Sequence, residues 1–348
     1  MSAFATCSQL TSMELTQSVK SIDPSAFSSC PKLSITISDG NENYVSKNGM
    51  LLRKDEKQII FISQDAVKNN KLTIPDTVIY LGNIAYQALQ NIKVIEIPNS
   101  VSNIDIGFFK NRVPNIEITV KEGNEKYVTK NDGVYSKDGT ILYTQFKNTS
   151  IVTVPEGVKA LSNGSFYKLG NLTQVHLPQS LETIESAAFT SCFNLHRLEL
   201  GINVKNIAPR MDEYSGMQEV IIDKDNPYYT VENNMIFNKN KTVLVRLIYG
   251  TYQSIEIPEG VKEILYQAFY ADTIMNITLP STLEKLSGFN NVLNLSKIDI
   301  PSSVTTIDSY CFSESSYLKE IVIHKPEGSI PGSPWGCIIG TRGIQWVP

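Results

Sequence analysis

One phrase of residues returns down the whole chain and limits what it can fold into. Leu172-Thr-Gln-Val-His-Leu-Pro-Gln-Ser-Leu-Glu-Thr-Ile-Glu-Ser-Ala-Ala-Phe-Thr-Ser-Cys192 repeats the pattern of Leu10 to Cys30, which returns at Ile274 to Phe289 and Leu295 to Phe312. The prolines and aromatics keep the same time: Pro75 to Pro98 and Pro155 to Pro178 are 23 residues apart, as are Phe166 to Phe189 and Phe289 to Phe312. A fixed period in the low twenties marks a solenoid, in which each unit buries its apolar face only against its neighbours.

Within each unit the frame is L-x-x-I-x-I/L-P-x-S-V-x-x-I-x-x-x-A-F. The apolar alternation at its start specifies a short strand, and the proline ends it by removing a donor and fixing φ. The following V-x-x-I-x-x-x-A-F is too short and too β-branched for a long helix, so extended or 3₁₀ returns are expected. Counted by their last apolar residue, thirteen ladder strands are expected, ending at Leu15, Ile37, Ile74, Ile97, Ile118, Val154, Leu177, Leu200, Ile222, Ile257, Leu279, Ile300 and Ile323.

A second period rides on the first. Segments starting at Tyr44, Tyr127 and Tyr229 share a pattern of two short strands around a polar turn, clearest at Asp138-Gly139, and predict β-hairpin insertions near 39–62, 123–145 and 225–248. The expected organisation is one solenoid over 1–325, followed by a C-terminal cap or linker over 326–348 that carries both tryptophans, Trp335 and Trp346. Because Ala3-Phe4 to Cys7 is already the second half of a repeat, the chain is expected to be truncated at its N-terminus, with any signal segment upstream.

Composition narrows the function. A net charge of −4 over 348 residues, with no basic run, argues against nucleic acid. No apolar stretch reaches the roughly 18–20 residues that cross a bilayer. Cys7, Cys30 and Cys192 fall three residues after the repeat Phe and Cys311 just before it, where other repeats carry small or apolar residues, so they read as buried hydrophobes. There is no phosphate loop, no H-E-x-x-H, no G-x-S-x-G and no zinc spacing. The chain is read as non-catalytic, with no metal and no cofactor.

In L-x-x-I-x-L the residues between the inward apolar positions point out onto the concave sheet. The candidate ligand-binding set is Glu96, Glu117, Gln174, His176, Arg197, Glu199, Glu219, Glu256, Lys297 and Asp299. The outward positions so read include eight acids, Glu14 and Glu320 completing the set, and two basic residues, Arg197 and Lys297. The functional reading is an acidic stripe steering a basic or polar partner; the plain one is a solvated β-face. His176 and Glu199 share a slot in successive repeats and are expected to form a hydrogen-bonded cross-strand pair rather than a metal site. Tyr228, Tyr229, Tyr249 and Tyr252, with Asn226, Asn233 and Asn234, suggest sugar stacking, although the matching positions of Tyr44, Tyr127 and Tyr229 favour packing.

The repeat at Leu181 to Leu200 and Val304 to Ile323, the Asn-Gly-Val-Tyr-Ser-Lys-Asp-Gly-type hairpins and the Gly332-Ser-Pro-Trp-Gly336 ending together resemble the BspA-like leucine-rich repeats. The fold expected is an α/β-type leucine-rich-repeat solenoid, right-handed and mainly β. The resemblance implies a secreted or cell-surface protein of oral or gut bacteria, acting as an adhesin toward host extracellular-matrix or cell-surface proteins. The alternatives are a glycan-binding module that uses the hairpin aromatics, and a structural spacer that holds another domain away from the cell.

Overall fold

The computed structural model describes residues 3–82, 91–105, 116–269, 273–292, 294–337 and 343–348. The chain forms two compact units, Met1–Asn148 with Ser162–Leu169, and Thr149–Leu161 with Gly170–Pro348.

Every one of the thirteen ladder positions is a strand, and each pairing is parallel with an offset of one repeat. In the first unit Ser12–Leu15 pairs with Ser34–Ile37, and Lys71–Thr73, Val94–Ile97 and Glu117–Val120 form a second block. In the second unit the pairs are Ile151–Thr153 with Gln174–His176, Arg197–Leu200 with Glu219–Ile222, and Thr251–Glu256 with Thr273–Thr278. Lys297–Ile300 and Glu320–Ile323 complete the series. The alternation is the cause: Ile95, Ile97, Ile118, Leu198, Leu200, Ile298 and Ile300 are buried, while Glu117, Arg197, Glu199, Lys297 and Asp299 between them are exposed.

The return path is more regular than the sequence suggests. The second Ile of V-x-x-I lies in a two-residue strand, and these build a second parallel ladder: Tyr80–Leu81 with Asn103–Ile104, Ala160–Leu161 with Thr183–Ile184 and Asn206–Ile207, and Glu263–Ile264 with Lys285–Leu286 and Thr306–Ile307. The Ala-Phe corner is a tight turn, 3₁₀ at Pro24–Phe27, where the Asp23 carboxylate caps the Ser25 amide at 2.9 Å. Two residues after the Phe slot the chain turns left-handed, at Ser29, Lys168, Ser191, Asn291 and Glu314. The Phe side chains stack down the core, Phe269 on Phe289 at 4.8 Å and Phe289 on Phe312 at 6.0 Å. The five cysteines form no disulfide with one another, and Cys30, Cys192, Cys311 and Cys337 are buried; burial pushes the Cys311 thiol well above its usual range.

The segment after residue 325 continues the repeat. Trp335 stands 23 residues after Phe312 and is buried in the same core, and Ile344–Trp346 adds a fourteenth parallel strand to Glu320–Ile323.

Each insertion is a three-stranded antiparallel meander rather than two strands around one turn. The strands are Tyr44–Lys47, Met50–Arg53 and Ile59–Ile62; Tyr127–Lys130, Gly133–Ser136 and Ile141–Gln145; and Tyr229–Glu232, Met235–Asn238 and Val243–Leu247. Their first turns are Asn48-Gly49, Asn131-Asp132 and Asn233-Asn234, with both central residues at positive φ, the primed geometry that matches strand twist. Gly49 is also enforced by packing, since a Cβ there would lie 2.5 Å from the Ala66 amide nitrogen. Asn69-Asn70 makes a further turn of this kind between Val67–Lys68 and Lys71–Thr73.

A buried asparagine opens each meander, three residues before its tyrosine. Asn124 Nδ2 donates to the carbonyls of Pro98 and Val101, both at 2.9 Å, and its Oδ1 accepts from the Lys126 and Tyr127 amides. Asn41 and Asn226 do the same to Thr16 and to Gly201 and Val204. These side chains satisfy backbone groups that the departure from the repeat would otherwise orphan.

Candidate functional site on the outward row of the ladder

Of the candidate residues, Glu117, Gln174, His176, Arg197, Glu199, Glu219, Glu256, Lys297 and Asp299 are exposed on ladder strands and Glu96 is half-buried. The carboxylates are not bare. In the first unit Glu96 is held by Lys71 at 2.5 Å and by Lys121 at 3.9 Å, and Lys121 reaches Asp76 at 3.0 Å. Asp76 and Glu96 raise the Lys121 pKa, the hydrogen bond to Asp76 contributing most. Lys71 occupies an outward position itself, in register with Val94, and Lys121 follows its strand, so the first unit is less acidic than the stripe read from the frame.

In the second unit one arrangement occurs twice. Arg197 donates from Nε and Nη2 to Glu199 Oε1 at 3.1 and 2.7 Å and lies 3.6 Å from Glu219 on the next strand. Lys297 lies 3.9 Å from Asp299 and 3.2 Å from Glu320 on the next strand, and His324 lies 3.9 Å from Asp299. A cation, an acid two residues on and an acid on the neighbouring strand form an exposed lattice that can exchange partners with an incoming charged surface. Such exposed pairs contribute only about 0.2–1 kcal/mol each to stability, so they are free to be spent on recognition.

The backbone ladder is interrupted in front of each lattice: Gln174–His176 is not laddered to Arg197–Leu200, nor Thr273–Thr278 to Lys297–Ile300. Over the C-terminal ends of Gln174–His176, Arg197–Leu200 and Glu219–Ile222 lies a cleft of about 310 Å³, lined by His176, Gln179, Glu199, Leu200, Ile221 and Asp223 among others. His176 and Glu199, expected to be a hydrogen-bonded cross-strand pair, both line this cleft. The expected hydrogen bond between them is replaced by the bidentate grip of Arg197 on Glu199, which lies on the same strand.

The aromatic set divides. Tyr44 and Tyr127 are buried, and the Tyr127 hydroxyl accepts from the Ile104 amide at 3.0 Å. Tyr229 donates to the Lys205 carbonyl at 2.9 Å and Tyr252 to the Ile248 carbonyl at 2.5 Å, while Tyr228 is exposed. Asn226 is the buried backbone clamp, and Asn233 and Asn234 form the turn, so these three serve the backbone.

One polar cluster escapes the sequence reading. Asp212 and Arg246 are both 0% exposed and joined Oδ1 to Nε at 3.0 Å. Asp212 Oδ2 accepts from the Tyr249 amide at 2.7 Å, and Arg246 Nη1 donates to the Ala268 carbonyl at 3.0 Å. Asp212 lies 23 residues after Phe189 and two before Tyr214, which takes the left-handed turn. It fills the slot of the repeat Phe. Spacing alone could have found it, had the slot been followed instead of the residue type.

Among the described residues no helix is long and apolar enough to cross a membrane. No protein of curated function matches the sequence. Among solved structures, the chain is similar to a leucine-rich repeat protein from Eubacterium ventriosum at 23% identity and a TM-score of 0.50, covering 90% of this chain and 78% of that one. It is also similar to the pneumococcal vaccine antigen PcpA, at 16% identity, a TM-score of 0.48 and 82% coverage of both chains. A third is a leucine rich cell surface protein of Faecalibacterium prausnitzii, at 18% identity and a TM-score of 0.48, with 88% and 95% coverage. The model of the BspA type leucine rich repeat region matches in six copies over residues 1–49, 57–132, 139–243 and 249–333. With the same frame read from its residues and built into parallel ladders, the chain belongs to the BspA-type leucine-rich-repeat family.

Proposed function

We propose that this chain is a non-catalytic recognition module of a secreted or surface-attached protein, binding host or neighbouring-cell proteins through the outward row of its ladder strands. The observation that carries the reading is the repeated exposed lattice, Arg197 with Glu199 and Glu219, then Lys297 with Asp299 and Glu320. These side chains face solvent and hold one another, while the polar residues that serve the fold, Asn41, Asn124 and Asn226, are buried on backbone groups. Exposed charge of both signs on a rigid sheet steers encounter and sets partner register more than it adds affinity. Leucine-rich repeats as a class bind proteins, which fits that use.

The test is binding to a panel of matrix proteins and glycans at low and at physiological salt, beside a variant carrying Glu199→Lys, Glu219→Lys and Glu256→Lys. Saturable, salt-weakened protein binding that disappears in the variant supports the reading. Binding indifferent to the charge reversal moves the site off this row. Selective glycan binding favours the exposed aromatics around Tyr214 and Tyr228, and no binding at all favours a spacer.

A further inference from the structure

A cleft runs over the C-terminal ends of three successive ladder strands, Gln174–His176, Arg197–Leu200 and Glu219–Ile222. Leu177 and Ile221 supply apolar wall, and His176, Gln179, Glu199 and Asp223 supply the polar groups around it. At about 310 Å³ it is at the small end of ligand sites, with room for one long side chain and a few waters but not for a strand or an oligosaccharide. Two carboxylates beside apolar surface suit a cation on an aliphatic stem.

We infer that this cleft is the anchor pocket for an arginine side chain of the protein partner, an inference that rests on the outward-row reading above and names the chemistry of its ligand. Geometry favours guanidinium over ammonium. The Glu199 carboxylate already receives a guanidinium fork, from Arg197, and both of those bonds end on Oε1, which leaves Oε2 to an incoming donor. Asp223 presents the second carboxylate, with its Oδ1 fixed by the Asp225 amide at 2.9 Å. His176 lines the same cleft, and a planar guanidinium can stack on an imidazole face where a tetrahedral ammonium cannot.

The chain has only three histidines, His176, His196 and His324, so the imidazole resonances of the whole protein can be followed singly, with His176→Gln assigning the first. Titration with N-acetyl-arginine methylamide is expected to shift the His176 signals saturably while those of His196 and His324 stay in place. N-acetyl-citrulline methylamide, the neutral isostere, is expected to leave all three unmoved. A Glu199→Gln/Asp223→Asn variant, which keeps the acceptor of the 223 turn, is expected to weaken arginine binding by about fivefold or more, the upper range for an exposed ion pair. An unmoved His176, an equal response to citrulline or to n-butylammonium, or undiminished binding by the variant overturns the pocket. If protein binding is still abolished by Glu219→Lys and Glu256→Lys when the pocket fails, only the pocket is lost. If it survives those changes too, the reading beneath it fails as well.

Discussion

The first and third meanders use one backbone plan for opposite chemistry. In the first, Phe61 pairs across from Leu51 and packs edge-on against Phe27, ring centroids 5.6 Å apart. In the third, the position across from Ile236 is Arg246, and its partner in the preceding repeat is Asp212, standing in the Phe slot. Both contacts are buried. The frame decides which two residues meet; the residues decide what the meeting is worth. An aromatic pair loses stability in proportion to the area and volume removed, whereas a buried ion pair fails abruptly when one partner goes, because the survivor is an uncompensated charge.

The largest effect separating the two regions is expected from Asp212→Ala. It strands Arg246 and should cost about 3–5 kcal/mol in denaturant unfolding. Asp212→Phe with Arg246→Phe, which copies the first meander, should recover most of that. A deficit of about 1–3 kcal/mol should remain, from the Tyr249 amide losing its carboxylate acceptor, while the Ala268 carbonyl keeps the Leu247 amide. In the first meander Phe61→Leu should cost about 1.5 kcal/mol or less, since volume is nearly kept and no charge is involved. If Phe61→Leu proves as damaging as Asp212→Ala, the contrast is wrong.

The second meander sharpens the comparison through pH. Tyr135 stands where the first has Leu52 and the third Phe237, and burial pushes its pKa up to about 12. A group whose folded pKa is raised contributes stability present below the unfolded value of about 10 and lost as pH rises toward 12. Alkaline unfolding should therefore steepen between about pH 10 and 12, and Tyr135→Phe should remove that part of the slope. An unchanged alkaline profile in the variant would count against a buried hydroxyl there. A smaller effect is expected on the meander edge. Thr129 donates to the Ile118 carbonyl at 2.9 Å and accepts from the Val120 amide at 2.9 Å, closing the open side of that ladder strand. Val231 holds the same place in the third meander, so Thr129→Val should cost about 0.5–1.5 kcal/mol by thermal unfolding and Val231→Thr should cost little or add stability.

The sequence made the ladders legible because a strand with one buried face must alternate, and the alternation recurs with the proline and the Phe. The three insertions were legible as β-structure from Tyr44, Tyr127 and Tyr229. The three-stranded plan was not, because Asp138-Gly139 marks only the turn between second and third strands, while the primed turns at Asn48-Gly49, Asn131-Asp132 and Asn233-Asn234 join first to second. The electrostatics of the outward row were not legible, since Glu96 is paired by Lys71, an outward residue of the preceding strand, and by Lys121, which follows the next one. Interruptions of the backbone ladder leave no mark in side-chain identity. Asp212 leaves a clear one, but only when the 23-residue step is followed into a position whose residue type breaks the rule.

Interior slots hold the fold and outward ones meet the partner, and one crossed measurement tests that division most directly. Binding of the wild type, of Asp212→Phe/Arg246→Phe and of Glu219→Lys would be compared on a matrix protein that the wild type retains, with thermal unfolding of all three. The prediction is that the interior double variant binds as the wild type does while its stability shifts, and that Glu219→Lys keeps its stability and loses salt-sensitive binding. Binding lost in the interior variant at temperatures where it remains folded, or kept in Glu219→Lys, would contradict the account.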